Sequence, residues 1–264
     1  MLKPYRVAAM PLRRALYWLP FLLAVILLGN VRLTHAGYAD GTGKGKYQNQ
    51  IYWLDWSGFN FADGQSKTFT LPGNVTIEAR VSNVSGGTIR ISRPEDYGPA
   101  AMNGIYPNTG QTAINSCDSC TNRFSLTFSA RIGSTPIPVD LVAIDAEAAS
   151  PVEWLTVSTN GSSWKLLEQV DAVNLDAIFT NSDKTLQLHG NGATTYGTVL
   201  AVSDGLSVLD FEIKGGGVSA AALGVFLPFD NGDAPSGFGD AEHYTAEKLA
   251  EVDRRVERDD VEQV

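Results

Sequence analysis

The chain has 264 residues, 44% of them hydrophobic and 19% charged, with 26 Gly and only two Cys. This excludes disorder, collagen and a cystine-dense scaffold, and the length suits one large all-β domain or two ordinary ones. With 20 Lys and Arg against 29 Asp and Glu, the net charge of -9 gives no electrostatic case for binding nucleic acid or anionic lipid.

Residues 1–36 hold five cations (Lys3, Arg6, Arg13, Arg14 and Arg32) and no acid, so residues 37–264 carry 15 cations against 29 acids. After Arg14 comes an uncharged, apolar run over 15–29, then Thr34-His35-Ala36, with small residues at the two positions that flank a signal-peptidase cut. This order reads as an export signal cleaved after Ala36. An uncleaved anchor is the alternative. Only 17 uncharged residues separate Arg14 from Arg32, one of them Pro20, and a spanning helix wants about 20 apolar residues. The membrane is therefore expected to matter only through the signal before cleavage.

Over 47–229 the dominant hydrophobic period is two. Val75, Ile77, Ala79 and Val81 alternate with Thr76, Glu78, Arg80 and Ser82; Phe124, Leu126, Phe128 and Ala130 alternate with polar residues; so do Leu209, Phe211 and Ile213. Each run predicts a half-buried strand. Further strands are expected over 50–56, 139–146, 154–159, 164–169, 185–189, 196–202 and 218–229. Pro72-Gly73, Asn160-Gly161, Asn191-Gly192 and Gly215-Gly216-Gly217 supply turn chemistry, and Ser85-Gly86-Gly87 suggests a hairpin. About a dozen strands without a convincing helix predict an all-β antiparallel sandwich of jelly-roll type.

Segment 93–122 is long, polar and rich in Pro, Gly, Asn and Ser. Loops of that length usually carry function, so Tyr97, Asn103, Tyr106 and Asn108 are expected to contact a ligand. The segment also holds Cys117 and Cys120. In an exported protein these predict a local disulfide. A zinc knuckle would need two more ligands, and beyond residue 36 only His189 and His243 are available, both distant in sequence.

Catalytic signatures are missing. In the phosphate-loop lookalike Gly41-Thr42-Gly43-Lys44-Gly45-Lys46, Asp40 stands where the first glycine is needed and Tyr47 where Ser or Thr should bind the metal. No G-x-S-x-G or H-E-x-x-H occurs. Asp145 and Glu147 share one strand face, and Asp230 and Asp233 begin an acidic cluster near the end. All four are candidate oxygen ligands for Ca²⁺, although DNGDAPSGFGD lacks EF-hand spacing. The competing reading is a solvated acidic face. Tyr52, Trp53, Trp56, Trp154 and Trp164 are candidates for a sugar-stacking platform, against the commoner fate of a Trp in a sandwich core. The last segment, 241–264, has no Gly or Pro, and Leu249, Val252 and Val256 at helical spacing predict a short helix or a frayed tail.

Five segments in order resemble one family: GTGKGKYQNQIYWLDWSG (41–58), TFTLPGNVTIEARVSNV (68–84), VDLVAIDAEAA (139–149), VEWLTVSTNGSSW (152–164) and LPFDNGDAPSGFGDAEH (227–243). They look like the CshA-type domain, the second non-repetitive domain of bacterial surface adhesins. Gly43 to Trp56 follow the family's G-x-G-K-Y-K-x-x-I-x-W-L-x-W pattern, with Gln48 replacing a basic residue. The resemblance implies a lectin-like β-sandwich over 37–229 that binds host or matrix glycoprotein, fibronectin in the best-known case, without catalysis and without a required cofactor. Asp145-Ala146-Glu147 resembles a family D-A-E segment with a structural or cation-linked role. From Asp230 the sequence is similar to the start of a D-x-G-D-A-P surface-protein module, so 230–264 reads as a linker and the beginning of a further unit, or as the end of a domain secreted alone. The expected function is adhesion to protein or glycan through surface loops. The alternatives are a carbohydrate-binding module, with or without calcium, and a glycosidase-like enzyme.

Overall fold

The computed structural model describes residues 37–97, 101–147, 150–170, 175–191 and 198–226, and the backbone of 230–231 and 242–243. The chain divides into two units, Met1–Thr34 and His35–Val264. The expected export signal, residues 1–36, lies outside the described residues; of the expected C-terminal helix over 241–264 only Glu242–His243 is described, and it is a strand.

In chain order the strands are β1 (Ile51–Trp53), β2 (Ser66–Leu71), β3 (Val75–Ser85), β4 (Arg90–Ser92) and β5 (Ala113–Asn115). Next come β6 (Thr121–Ile132), β7 (Thr135–Ile137), β8 (Val139–Asp145), β9 (Trp154–Thr159) and β10 (Lys165–Val170). The series continues with β11 (Leu175–Thr180), β12 (Thr185–Gly190), β13 (Thr198–Leu206), β14 (Val208–Lys214) and β15 (Ala220–Phe226). Two two-residue strands, β16 (Asp230–Asn231) and β17 (Glu242–His243), pair with each other.

Two antiparallel sheets form a sandwich. The seven-stranded sheet runs β10-β13-β8-β15-β5-β4, with β1 beside β5 on the same edge of β15. The eight-stranded sheet runs β11-β12-β9-β14-β6-β3-β2, with β7 folded back on β6. Pro72, Gly73 (φ 70°) and Asn74 (φ 59°) make the turn between β2 and β3, where positive φ calls for Gly or Asn.

The eight-stranded sheet buries one face, so its strands alternate as their sequences do. Val75, Ile77, Ala79 and Val81 point inward, as do Phe124, Leu126 and Phe128. Phe124 lies directly opposite Phe211, and their rings stack at 4.8 Å. Phe61 and Trp56 extend this aromatic row at 5.3 and 5.2 Å. Aromatic contact of this kind adds to what area burial alone provides.

The seven-stranded sheet is buried on both faces. Its inner face joins the sandwich core through Leu141, Ala143, Val199, Ala201, Ala221 and Leu223. Its outer face carries a second core of Val142, Ile144, Leu200, Val202, Ala220 and Ala222, covered by Ala39, Met102, Ile105 and Tyr106. Hence the near-continuous apolar runs of β8, β13 and β15, the pattern of a sheet with no wet face.

The segment 93–122 therefore departs from the surface loop expected of it. It holds a 3-10 turn (Pro94–Tyr97), a short helix α1 (Met102–Ile105) and β5, and it straps the outer face of the seven-stranded sheet. Its polar composition hid five fully buried apolar residues: Ala101, Met102, Tyr106, Ala113 and Ile114. Ser85-Gly86-Gly87 is likewise no hairpin. β3 ends in the eight-stranded sheet with Ser85 opposite Arg123, and β4 pairs with β5 in the other. Gly86, at φ 92°, lets the chain cross between the layers.

Candidate recognition surface

One end of the sandwich gathers the ends of β3, β5, β8 and β14 with the starts of β4, β6, β9 and β15. Three connections there are knitted together. Cys117 and Cys120 are joined by a disulfide across a Cα–Cα distance of 5.5 Å. Asn122 Oδ1 accepts the Cys117 N–H at 3.0 Å, and Asn122 Nδ2 donates to the Gly87 carbonyl. Gly87 packs on the sulfurs, where a Cβ has no room. The disulfide loop is tied to the glycine run by Ser119 N–H to Gly217 O and Gly215 N–H to Cys120 O, both 2.9 Å. Buried Glu153 holds that run from the other side. Its Oε1 accepts the Gly216 and Gly217 N–H groups at 3.1 and 3.0 Å, and its Oε2 accepts Ser150 N–H at 2.9 Å. Three backbone donors on one carboxylate fix the loop 215–217, which no side chain of its own could anchor.

Tyr97, Asp145 and Glu147 come together beside this knot. Tyr97 is half-buried, and its hydroxyl shares a hydrogen bond with Ser92 Oγ at 2.8 Å. Burial, above all, raises its pKa. Asp145 is fully buried at the end of β8 and accepts the Glu147 N–H at 3.1 Å. Burial holds its carboxyl well above the usual range, with Glu147 and Glu153 adding to the effect. Burial, and then the charge of Glu153, pushes Glu147 up to about 8, and Glu147 Oε2 is buried without a hydrogen-bond partner. Among the described residues, no group of three or more His, Cys, Asp or Glu side chains is placed to hold a metal ion. Asp233 lies outside the described residues, and Asp230 is described only in its backbone.

The other expected contact residues sit in the strap. Tyr106 is fully buried, and its hydroxyl donates to the Glu168 carboxylate, which also accepts the Lys46 N–H at 3.1 and 3.2 Å. Asn108 is buried and turned on its own loop, accepting from Gly110 N–H and Thr112 Oγ1, both at 3.2 Å. Asn103 is half-buried on α1. Burial removes Tyr106 and Asn108 from any solvent-facing contact set. The lookalike phosphate loop packs here too: Gly43 lies against the Ile105 carbonyl and Gly45 against the Tyr106 ring, with no space for a Cβ.

Of the five aromatics considered for a platform, Trp53, Trp56 and Trp164 are core, and Tyr52 is half-buried edge-on to Tyr38 at 5.6 Å. Trp154 alone stands on the solvent face of the eight-stranded sheet, next to the knotted end. Register sets it between His189 and Lys214. Its indole N–H donates to Glu212 Oε1 at 2.9 Å, and Lys214 Nζ lies 3.9 Å from the ring centroid. Arg123 Nε bonds Glu212 Oε2 at 2.7 Å. His189 Nε2 lies 3.1 Å from the Pro151 carbonyl, and Val152 beside it is 58% exposed. In the sequence Glu212 and Lys214 read only as the polar phase of a strand, and His189 only as a metal ligand without partners. Their signal was the outward phase of the same period-two strands that named the core.

The described residues thus form a two-sheet antiparallel sandwich whose loops are knotted together at one end. The profile of the surface adhesin CshA non-repetitive domain 2 family matches residues 49–227, and the chain belongs to that family. No curated protein and no solved structure matches the chain. Membership makes this a domain of surface adhesion, places it at the cell surface or outside the cell, and points to a non-enzymatic role. No helix among the described residues is long and apolar enough to cross a membrane.

Proposed function

We propose that the domain is exported by cleavage after Ala36 and binds a host or matrix glycoprotein, or its glycans, at the knotted end and the adjoining face around Trp154. The observation that supports this reading is Trp154: a half-buried aromatic ring on the solvent face, its N–H bonded to Glu212 and the Lys214 ammonium over its ring, flanked by further hydrogen-bonding groups. Amphipathic aromatics so placed serve recognition, offering apolar area with little entropy to lose. The neighbouring disulfide and the Glu153 clasp keep the surrounding backbone rigid, which lowers the cost of ordering on contact.

The test is attachment of the exported protein to fibronectin-coated surfaces and to a glycan array, comparing wild type with Trp154→Ala. Because Trp154 lies outside both cores, its loss should weaken attachment at least tenfold while the melting temperature moves by a few degrees. Unchanged attachment would exclude this face. Signals on free glycans support sugar recognition, and signals on the intact glycoprotein alone support protein contact. Loss of either signal with chelator would revive a calcium-dependent lectin. N-terminal sequencing that starts at Met1 rather than Gly37 would refute the cleavage.

A further inference from the structure

Sheet edges present unpaired backbone donors and acceptors, and proteins protect them with bulges, Lys, Pro, short strands or cover. Most edges of this sandwich are protected. β10 has a register break between Leu166 and Glu168. β1, β4 and β7 are three residues long. β2 carries Lys67, whose Nζ bonds the Ser57 carbonyl at 2.8 Å. β11 differs. Among the described residues it is the outermost strand of the eight-stranded sheet, and it pairs with β12 in unbroken register from Leu175↔Gly190 to Thr180↔Thr185. It contains no Lys, Pro or Gly. Its one charge, Asp176, is engaged by Asn191 Nδ2 at 2.6 Å. On its solvent face Ile178 is 41% exposed.

We propose that β11 pairs antiparallel with β11 of a second copy of this chain, joining two eight-stranded sheets into one. The register follows from chemistry. Opposed residues in an antiparallel pair share a face, so a self-paired strand must be centred on a residue. Centring on Ile178 sets Ile178 against its own copy, Asp176 against Thr180 and Ala177 against Phe179. No like charges meet, and the exposed isoleucines cover each other. Centring on Ala177 would instead press Asp176 against Ile178. The domain is strongly acidic beyond residue 36, so long-range repulsion opposes association, and added salt should strengthen it. Pairing about this two-fold axis puts both Trp154 faces on the same side. They are separated across the sheet by five interstrand steps of ~4.8 Å, roughly 24 Å. If the proposed role of Trp154 holds, one dimer offers two contacts to a multivalent surface, with the gain in avidity this brings.

The mass of the exported protein, measured by sedimentation from micromolar to millimolar concentration at low and high salt, tests the pairing without reference to any ligand. The wild type, Ile178→Val and Leu166→Lys should all reach twice the monomer mass. Leu166 is the control because it is similarly exposed, at 44%, but lies on the irregular edge. Ile178→Lys, which sets two ammonium groups face to face, should weaken dimerisation at least tenfold with an unchanged circular dichroism spectrum. Ile178→Cys should form an interchain disulfide on mild oxidation. A wild type that stays monomeric throughout overturns the proposal, whether or not β11 then accepts an extended peptide from another protein. So does equal disruption by Leu166→Lys and Ile178→Lys.

Discussion

Glu147 and Asp145 show how residues placed by a strand pattern acquire a character the pattern does not carry. Two positions apart at a strand end, they were legible as a pair, but their burial was not. A carboxyl whose folded-state pKa stands above its unfolded value keeps its proton only in the fold. For Glu147 that window runs from the ordinary 4.5 up to about 8. Its contribution is fully present below about 4.5 and is lost as pH rises through 8. Thermal stability should therefore fall across this window. Glu147→Gln should flatten the profile and gain on the order of 1 kcal/mol near pH 8, a figure reduced for the solvent that screens a half-buried group. A melting series across pH for both proteins checks this, and an unchanged slope would show that Glu147 ionises freely. Phe128 and Tyr97 contrast in the same way. Phe128 was legible as core, and Phe128→Ala should cost ~3–5 kcal/mol by leaving a cavity. Tyr97 sits between Asp96 and Gly98, which reads as surface, yet its ring is half-buried and its hydroxyl bonded. Tyr97→Ala should cost about 1–2 kcal/mol by denaturant titration rather than nothing.

At the scale of elements, legibility followed the number of wet faces. β3, β6 and β14 have one face in water and announced themselves by alternation. β9 was bounded correctly for the same reason. β8, β13 and β15 were found but looked irregular, because a sheet covered on both sides has no polar phase. β11 was missed because Ile178 occupies an outward position and blurs the alternation of Leu175, Ala177 and Phe179. α1 and β5 were missed because four or three residues give no period to read. The strap also explains the glycines of 41–46, which stood out in the sequence for the wrong chemistry: they are small because α1 and Tyr106 lie against them. Tyr106→Phe should leave the buried Glu168 carboxylate short of one donor, and destabilise by about 1–3 kcal/mol. Attachment to ligand should not change, since the ring never meets solvent. The Cys117–Cys120 bridge closes a very small loop, so replacing both with Ser should cost about 2 kcal/mol or less, below what longer loops give. The larger effect should be local: faster amide exchange at Gly215 and Ser119, whose N–H groups hold the loops together.

For the molecule as a whole, the seven-stranded sheet acts as the middle layer of three, with the eight-stranded sheet on one side and the strap on the other. This decides what the long polar segment is for. A contact loop on a two-layer sandwich could be removed at little cost to folding. A strap that buries Val142, Ile144, Leu200 and Ala222 cannot, because its removal opens an apolar face across the middle of the sheet. Replacing 101–112 with a short Gly-Ser linker should leave the inner core and its stacked Phe124–Phe211 pair in place but expose the second core. The variant should be exported at low yield, bind a hydrophobic dye and aggregate with time, as exposed apolar sheet faces do. Met102→Ala, a milder cut into the same layer, should cost ~2–5 kcal/mol, within the range of an inner-core substitution. A linker variant that is soluble, does not bind dye and melts like the wild type would mean that the outer core contributes nothing to stability. The apolar runs of β8, β13 and β15 would then owe nothing to burial beneath the strap.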